Sequence, residues 1–171
     1  MWYIVEYDNL SIKAKKSWFV ARLITTVIVS IILIVGVWFS IYNIKFKYAV
    51  MFETPINITV GIIILLLLIN TFIYPIIEYK QWRYIINKDK VDFIHGIYIT
   101  KRTIVPMVRI QHIVITEGFI NRFFNLANVD IHTAGGIHTI PNIELEKAKE
   151  ISEYLKDKIS KKVEGYDARL D

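Results

Sequence analysis

The chain has 171 residues, 54% of them hydrophobic, no cysteine and a formal net charge of +5. The missing cysteine excludes a disulfide framework, a thiolate zinc site and a cysteine nucleophile. The charge is spread as +2 before Leu23, +1 from Lys45 to Glu53 and +2 from Glu78 onward, a distribution with no basic patch for nucleic acid.

Residues 1–22 form a basic lead-in. Asn9 or Ser11 is placed to cap a short helix that carries Lys13, Lys15 and Lys16 toward the membrane, with Trp18 and Phe19 at headgroup level. The segment is not a cleavable signal peptide, because the apolar stretch after it is too long and no small-x-small site closes it. From Leu23 to Ile44 there are 22 residues without a charge, and from Thr54 to Ile77 another 24. About 20 such residues cross the roughly 30 Å hydrocarbon core as a helix. Transmembrane helices are therefore predicted over 23–44 and 55–77, joined by a short external loop over 45–54. Pro55 suits the first turn of the second span, which is expected to close around Tyr74-Pro75.

Lys13, Lys15, Lys16 and Arg22 precede the first span, Lys45 and Lys47 lie in the loop, and Lys80, Arg83, Lys88 and Lys90 follow the second. The excess of cations on the two outer flanks predicts a multi-pass protein of the bacterial cell membrane with both termini cytoplasmic. Neither span contains an ionisable residue, which argues against a transport pathway. Small and polar residues mark a helix-packing face instead. Gly36 and Ser40 are four apart, as are Thr26 and Ser30, and folding the hairpin about residue 50 puts Ser30 near Asn70 and Gly36 near Gly61.

From Glu78 the pattern changes to short strands. Trp82–Ile86, Val91–His95, Ile97–Val105, Arg109–Glu117, Val129–Thr133 and Ile137–Ile140 read as strands, with a helical turn over Phe119–Asn125. Ile110, His112 and Val114 alternate with Gln111, Ile113 and Ile115, so this strand reads as packed on both faces. After Pro141, with Asn142 as N-cap, Leu145, Ala148, Ile151, Leu155 and Ile159 form one apolar stripe of a closing helix that ends near Lys162. The fold class is α+β: a two-helix transmembrane hairpin, then a bent antiparallel sheet or barrel over 78–163 capped by a C-terminal helix, and a tail over 164–171.

In order, the chain carries W-x-Y-I from Trp82, G-x-Y from Gly96, V-P-x-x-R-I-Q from Val105, R-F-F-N-L-A from Arg122 and V-x-I-x-T-A-G-G from Val129. This series resembles the bacterial pleckstrin-homology-like (PH-like) domain of YdbS-type membrane proteins, and the preceding hairpin fits the same layout. Trp82, Pro106, Arg109, Gln111, Arg122, Gly135 and Gly136 are its signature positions. Asn125 stands where the family usually has glycine, and asparagine tolerates the left-handed backbone such a turn needs. The resemblance implies a PH-like fold, no enzymatic activity, and assembly with a larger relative bearing several such domains. In eukaryotic PH domains the loop after the first strand is basic and binds phosphoinositides. The corresponding residues are Lys88 and Lys90, with Lys101 and Arg102 expected nearby, and they are candidates for anionic-lipid binding or plain solvated turn residues.

Other chemistry finds little support. His132 and His138 share a face only if their loop has three residues, and no third ligand is placed to complete a metal site with them, His95 or His112. Gly135-Gly136 lies in a hairpin and not before a helix, so it is no phosphate loop. Arg109 and Arg122 read as fold residues paired with carbonyls, Glu117 or Asp130. No catalytic residue, metal or cofactor is assigned. The expected partners are membrane lipids and a membrane protein, either a related PH-like protein or a second copy. Nucleic acid and small-molecule substrates are not among them.

Overall fold

A computed structural model describes residues 7–42 and 53–167. Its elements are β1 (Asp8–Asn9), α1 (Lys13–Tyr42), α2 (Glu53–Gln81), β2 (Arg83–Ile86), β3 (Lys90–His95), β4 (Lys101–Pro106), a 3-10 turn (Met107–Arg109), β5 (Ile110–Thr116), α3 (Phe119–Phe123), β6 (Leu126–Thr133), β7 (Gly136–Glu144) and α4 (Leu145–Asp167). The chain forms two compact units, one built from the residues before Trp18 and after Ile76, the other from those between. Most of the expected external loop and the end of the tail lie outside the described residues.

The intervening unit holds the greater part of two apolar helices. The Ser11 carbonyl accepts the Ala14 N–H at 2.9 Å, and the Ser11 hydroxyl accepts the Lys13 N–H at 3.3 Å, which starts α1. The helix then runs unbroken past Arg22, so lead-in and first span are one element. Lysine, arginine and alanine are good helix formers, and nothing between Lys13 and Leu23 breaks the ladder. The second helix likewise continues past Tyr74-Pro75, where the span is expected to close. Pro75 loses the bond to the Thr71 carbonyl, yet it is buried and the ladder resumes to Gln81, with the Trp82 N–H still on the Glu78 carbonyl at 3.2 Å. Ile32, Leu66 and many other large apolar side chains of both helices are exposed. The two helices are long and apolar enough to cross a membrane, and a surface of that extent marks a membrane or protein interface.

The other unit is an α+β domain of two antiparallel sheets, ordered β1-β2-β3-β4 and β5-β6-β7. Tyr84, Val91, Phe93 and Val105 bury their side chains from the first sheet, and Leu126, Val129, Ile131, Ile140 and Ile143 from the second. The ring of His138 reaches Phe93 across the two, with centroids 5.9 Å apart. The apolar stripe of α4 closes this core through Ala148, Ile151 and Leu155.

Part of the N-terminal segment belongs to the domain. Asp8 and Asn9 pair with Tyr84 and Arg83, and Leu10, Ala14 and Ser17 are buried in the domain. A two-residue strand has no periodicity to read, so sequence alone missed it. Other differences have local causes. Gly96, at φ 122°, opens a turn over 97–100, and β4 starts only at Lys101; a Cβ there would lie 2.1 Å from the Ile99 carbonyl oxygen. In β5 the register moves from Ile110↔Thr133 to His112↔His132, so Gln111 is the extra residue of a bulge. That slip leaves Ile110, Ile113 and Ile115 inward, and the strand is packed on one face only. β7 continues through Pro141 to Glu144, with a second register shift opposite Ala127–Val129. Asn142 sits there at φ 51°, inside the strand, and is not the N-cap of α4. Asn125 has φ 55°, the left-handed turn expected where the family has glycine.

If the N-terminal segment is part of the domain core, Leu10→Ala is expected to cost about 2–5 kcal/mol, read as a lowered thermal unfolding midpoint of the full-length protein in detergent micelles. Ile12→Ala, two residues on at an exposed position, is expected to leave the midpoint unchanged. Equal effects would contradict the packing.

Candidate functional site

Lys88 and Lys90, with Lys101 and Arg102 expected nearby, are the candidates for anionic-lipid binding or plain solvated turn residues. β3 separates them: Lys90 pairs across from Pro106 at one end and His95 from Lys101 at the other. Five residues at about 3.3 Å each put roughly 17 Å between these ends. Lys88 and Lys90 lie at the end of β2 away from its junction with α2, and Lys101 and Arg102 at the near end.

Two of the four cations neutralise a buried carboxylate. Asp92 is 1% exposed. Arg102 holds it with Nε at 3.1 and 3.2 Å from its two oxygens and Nη2 at 2.6 Å. Lys90 Nζ is 3.5 Å away, and the Tyr7 hydroxyl donates at 3.2 Å. The cluster has the geometry of a bidentate guanidinium–carboxylate pair. It offers no nucleophile and no general base, because the Arg102 hydrogen bonds hold the Asp92 carboxyl below its usual range against the opposing effect of burial. Lys88 and Lys101 are exposed, with no ion pair among the described residues, and stand at opposite ends of the strands.

A second cluster holds the ends of several elements together. The Ser17 hydroxyl donates to Asn121 Oδ1 at 2.6 Å, and Asn121 Nδ2 donates to Asn142 Oδ1 at 2.7 Å. The Asn142 backbone N–H donates to Asn128 Oδ1 at 3.0 Å. This amide chain joins the start of α1 to α3, β6 and β7, and it explains the left-handed Asn142.

A cleft of about 610 Å³ lies between β2 and α4, lined in part by Asp8, Tyr84, Ile85, Lys147, Glu150 and Tyr154. Lys147 Nζ pairs with Asp8 at 3.1 Å, so the cleft has one compensated cation beside Glu150 and no array for a phosphate. Burial raises the Tyr84 hydroxyl's pKa, keeping it protonated.

The remaining sequence candidates fall in several places. Trp82 stacks on His95 with centroids 4.7 Å apart. Arg109 and Arg122 are exposed and form no ion pair among the described residues. Asp130, an expected partner, instead accepts from Thr116 and, at 2.6 Å, from Thr139. The β6–β7 loop has two residues, Ala134 and Gly135, so His132 and His138 lie on opposite faces; the Thr133 hydroxyl and Gly136, at φ 136°, complete the turn. His132 stacks on His112 at 4.1 Å instead, a pairing set by the Gln111 bulge and invisible without it. No three His, Asp or Glu side chains among the described residues could hold a metal ion.

Within the helical unit, the Thr26 and Thr71 hydroxyls share a buried hydrogen bond of 2.8 Å. Gly36 and Gly61 are exposed with open space where a Cβ would stand, so no described helix of this chain crosses closely at them. Asn70 is exposed, and Ser30 and Ser40 are half-buried. The contact seam uses Thr26, one turn before Ser30, because the helices pair about a point nearer residue 48 than 50.

Two apolar helices inserted into a two-sheet domain closed by a C-terminal helix define a PH-like membrane protein. The chain matches the model of the bacterial PH domain over residues 10–159 and belongs to that family. It is 39% identical over 94 residues, 55% of its length, to UPF0699 transmembrane protein YdbS of Bacillus subtilis (strain 168), covering 57% of that protein. It is 26% identical over 156 residues, 89% of its length, to UPF0699 transmembrane protein YdbT of the same organism, covering 30% of that protein. No solved structure matches it. The family match begins at Leu10, before the first helix, in keeping with a domain built from both sides of the helices.

Asp92 contributes stability that is complete well above the ordinary carboxylate pKa of 3.8 and is lost as pH falls through its lower folded value. Asp92→Asn is expected to flatten this acid limb of the unfolding midpoint. Arg102→Ala at pH 7 is expected to lower the midpoint, because it leaves the buried Asp92 carboxylate without its bidentate partner. A midpoint unchanged by Arg102→Ala would show the guanidinium to be dispensable.

Proposed function

We propose that this chain is a non-enzymatic integral membrane protein whose PH-like domain assembles with another membrane protein bearing bacterial PH domains, or with a second copy. The observation that carries this reading is the edge of β4, which has no further strand beside it among the described residues; Ile104 is exposed on β4 and Val108 in the 3-10 turn that follows it. An unpaired edge with exposed apolar side chains is suited to strand addition or to docking a helix. The relatives support the choice of partner. One organism holds both a short transmembrane relative and one of which this chain covers 30%.

Both helices are read as spans, with the flanking domain cytoplasmic. The β1–β2 pairing supports a hairpin, since the chain that leaves the domain after β1 returns to it at β2 and two crossings restore the original side. The excess of Lys and Arg before α1 and after α2 supports the cytoplasmic assignment. Anionic-lipid recognition by Lys88, Lys90, Lys101 and Arg102 has less support. Two of these cations are committed to Asp92, and the other two are far apart.

Affinity capture of the tagged full-length protein from its native membrane, followed by mass spectrometry, is expected to recover a stoichiometric membrane protein of the same family or a dimer. Ile104→Lys is expected to lose that partner with an unchanged unfolding midpoint. A monomer that brings only lipid would refute assembly.

A further inference from the structure

Four large apolar side chains are more exposed than any others among the described residues, including those of the apolar helices: Tyr98 at 92%, Ile99 at 83%, Phe119 at 79% and Phe123 at 75%. The next is Ile12 at 68%. They fall at two sites. Phe119 and Phe123 are one turn apart on α3, in edge contact at 5.1 Å. Tyr98 and Ile99 occupy the turn that Gly96 opens.

Each site is tied to the point where a helix leaves the domain. The Ser17 hydroxyl holds α3 through Asn121 at 2.6 Å, one residue before α1 passes out of the domain at Trp18. At the other exit, Gln81 Nε2 donates to the Ile97 carbonyl at 3.4 Å, and Trp82 stacks on His95 at the base of the same turn. Along the helices, Ser17 is six residues from Leu23 and Gln81 four from Ile77, the first and last residues of the uncharged runs. At about 1.5 Å per residue these are about 9 and 6 Å. The headgroup layer of one leaflet is about 5–8 Å thick, so the tethers fall at or beside it. The charges nearest in sequence are Lys101 and Arg102 after one site, and Glu117 and Arg122 around the other. This is a mixed set suited to a polar headgroup layer, without a dedicated phosphate pocket.

We infer that α3 and the 97–100 turn are two feet by which the PH-like domain stands on the bilayer, with Phe119, Phe123, Tyr98 and Ile99 inserted at the headgroup–acyl boundary. Aromatic rings favour that layer, and apolar faces of peripheral helices enter it by about 5–10 Å. The occupant of this surface is lipid, without selectivity for a particular headgroup. The inference rests on the reading of α1 and α2 as spans.

The absence of cysteine makes the test direct. Single nitroxide labels are placed through Tyr98→Cys, Phe119→Cys or Phe123→Cys in the full-length protein, reconstituted in phosphatidylethanolamine–phosphatidylglycerol vesicles. Lys88→Cys and Ala134→Cys serve as controls at the far ends of β2 and β6, and Ile32→Cys reports on the span. The ratio of oxygen collisions to collisions with a water-soluble nickel chelate is expected to be several-fold higher at positions 98, 119 and 123 than at 88 and 134. A ratio equal to the controls overturns the inference. Exclusion of both probes overturns it too, in favour of contact between copies. A water-like ratio at position 32 shows instead that the span reading has failed. Each variant must keep the wild-type unfolding midpoint; Ile99→Cys substitutes for Tyr98→Cys, and Phe123→Cys repeats the reading of α3 if Phe119→Cys does not fold.

Discussion

The architecture depends on a short stretch of backbone pairing. Asp8 and Asn9 lie against Tyr84 and Arg83, and the two apolar helices are enclosed between the partners. A strand pair brings its backbones to about 4.8 Å. The chain that departs after Leu10 is therefore bound to come back to the place it left. An insertion of two antiparallel helices meets this condition and an insertion of one does not. The domain is thus completed by residues on both sides of the helices, and neither side carries the whole core. Leu10 and Ala14 are buried, and Glu144, at the end of β7, meets Lys13 at 3.2 Å and Ser11 at 3.3 Å.

How much of this was legible in the sequence differs by element. The apolar helices could be read because lipid demands long uncharged runs. The closing helix could be read because its stripe keeps a helical period from Leu145 to Ile159. The left-handed turn at Asn125 could be read from residue chemistry at a position where the family has glycine. By contrast, β1 is too short to show a period, and its partner lies beyond both helices. The Gln111 bulge inverts the expected sides of β5, since one extra residue moves every later side chain to the other face. Asn142 looked like a helix cap because asparagine serves both purposes; only the carboxamides of Asn121 and Asn128, placed by other elements, decide between them.

Cations in the domain were the least legible feature. Lys88, Lys90, Lys101 and Arg102 read as solvated or as ligands for phosphate, and both readings assume that the cation is free. Asp92 removes the assumption for Lys90 and Arg102. A buried carboxylate without compensation costs several kcal/mol, so the fold must place cations on it. Tyr7 supplies a further hydrogen bond from just before β1, so this cluster also depends on the pairing that encloses the helices. The sequence contains all four residues, but their meeting is a consequence of register: Arg102 lies opposite Ile94 on the same face as Asp92, two residues along.

The same enclosure bears on how the domain can form. Closing a loop costs about (3/2)RT ln n in chain entropy, and a disordered chain of the length between β1 and β2 would have to bear that cost for a pairing of two residues. The helices change the problem. The Thr26–Thr71 hydrogen bond, the contact of Phe19 with Phe72 at 5.3 Å and the Arg22 guanidinium over the Tyr74 ring at 4.2 Å all lie near the outer ends of α1 and α2. Once the helices are paired in this way, the ends that lead to β1 and β2 are already neighbours, and the effective loop is a few residues long. A strand as short as β1 is then enough to close the domain.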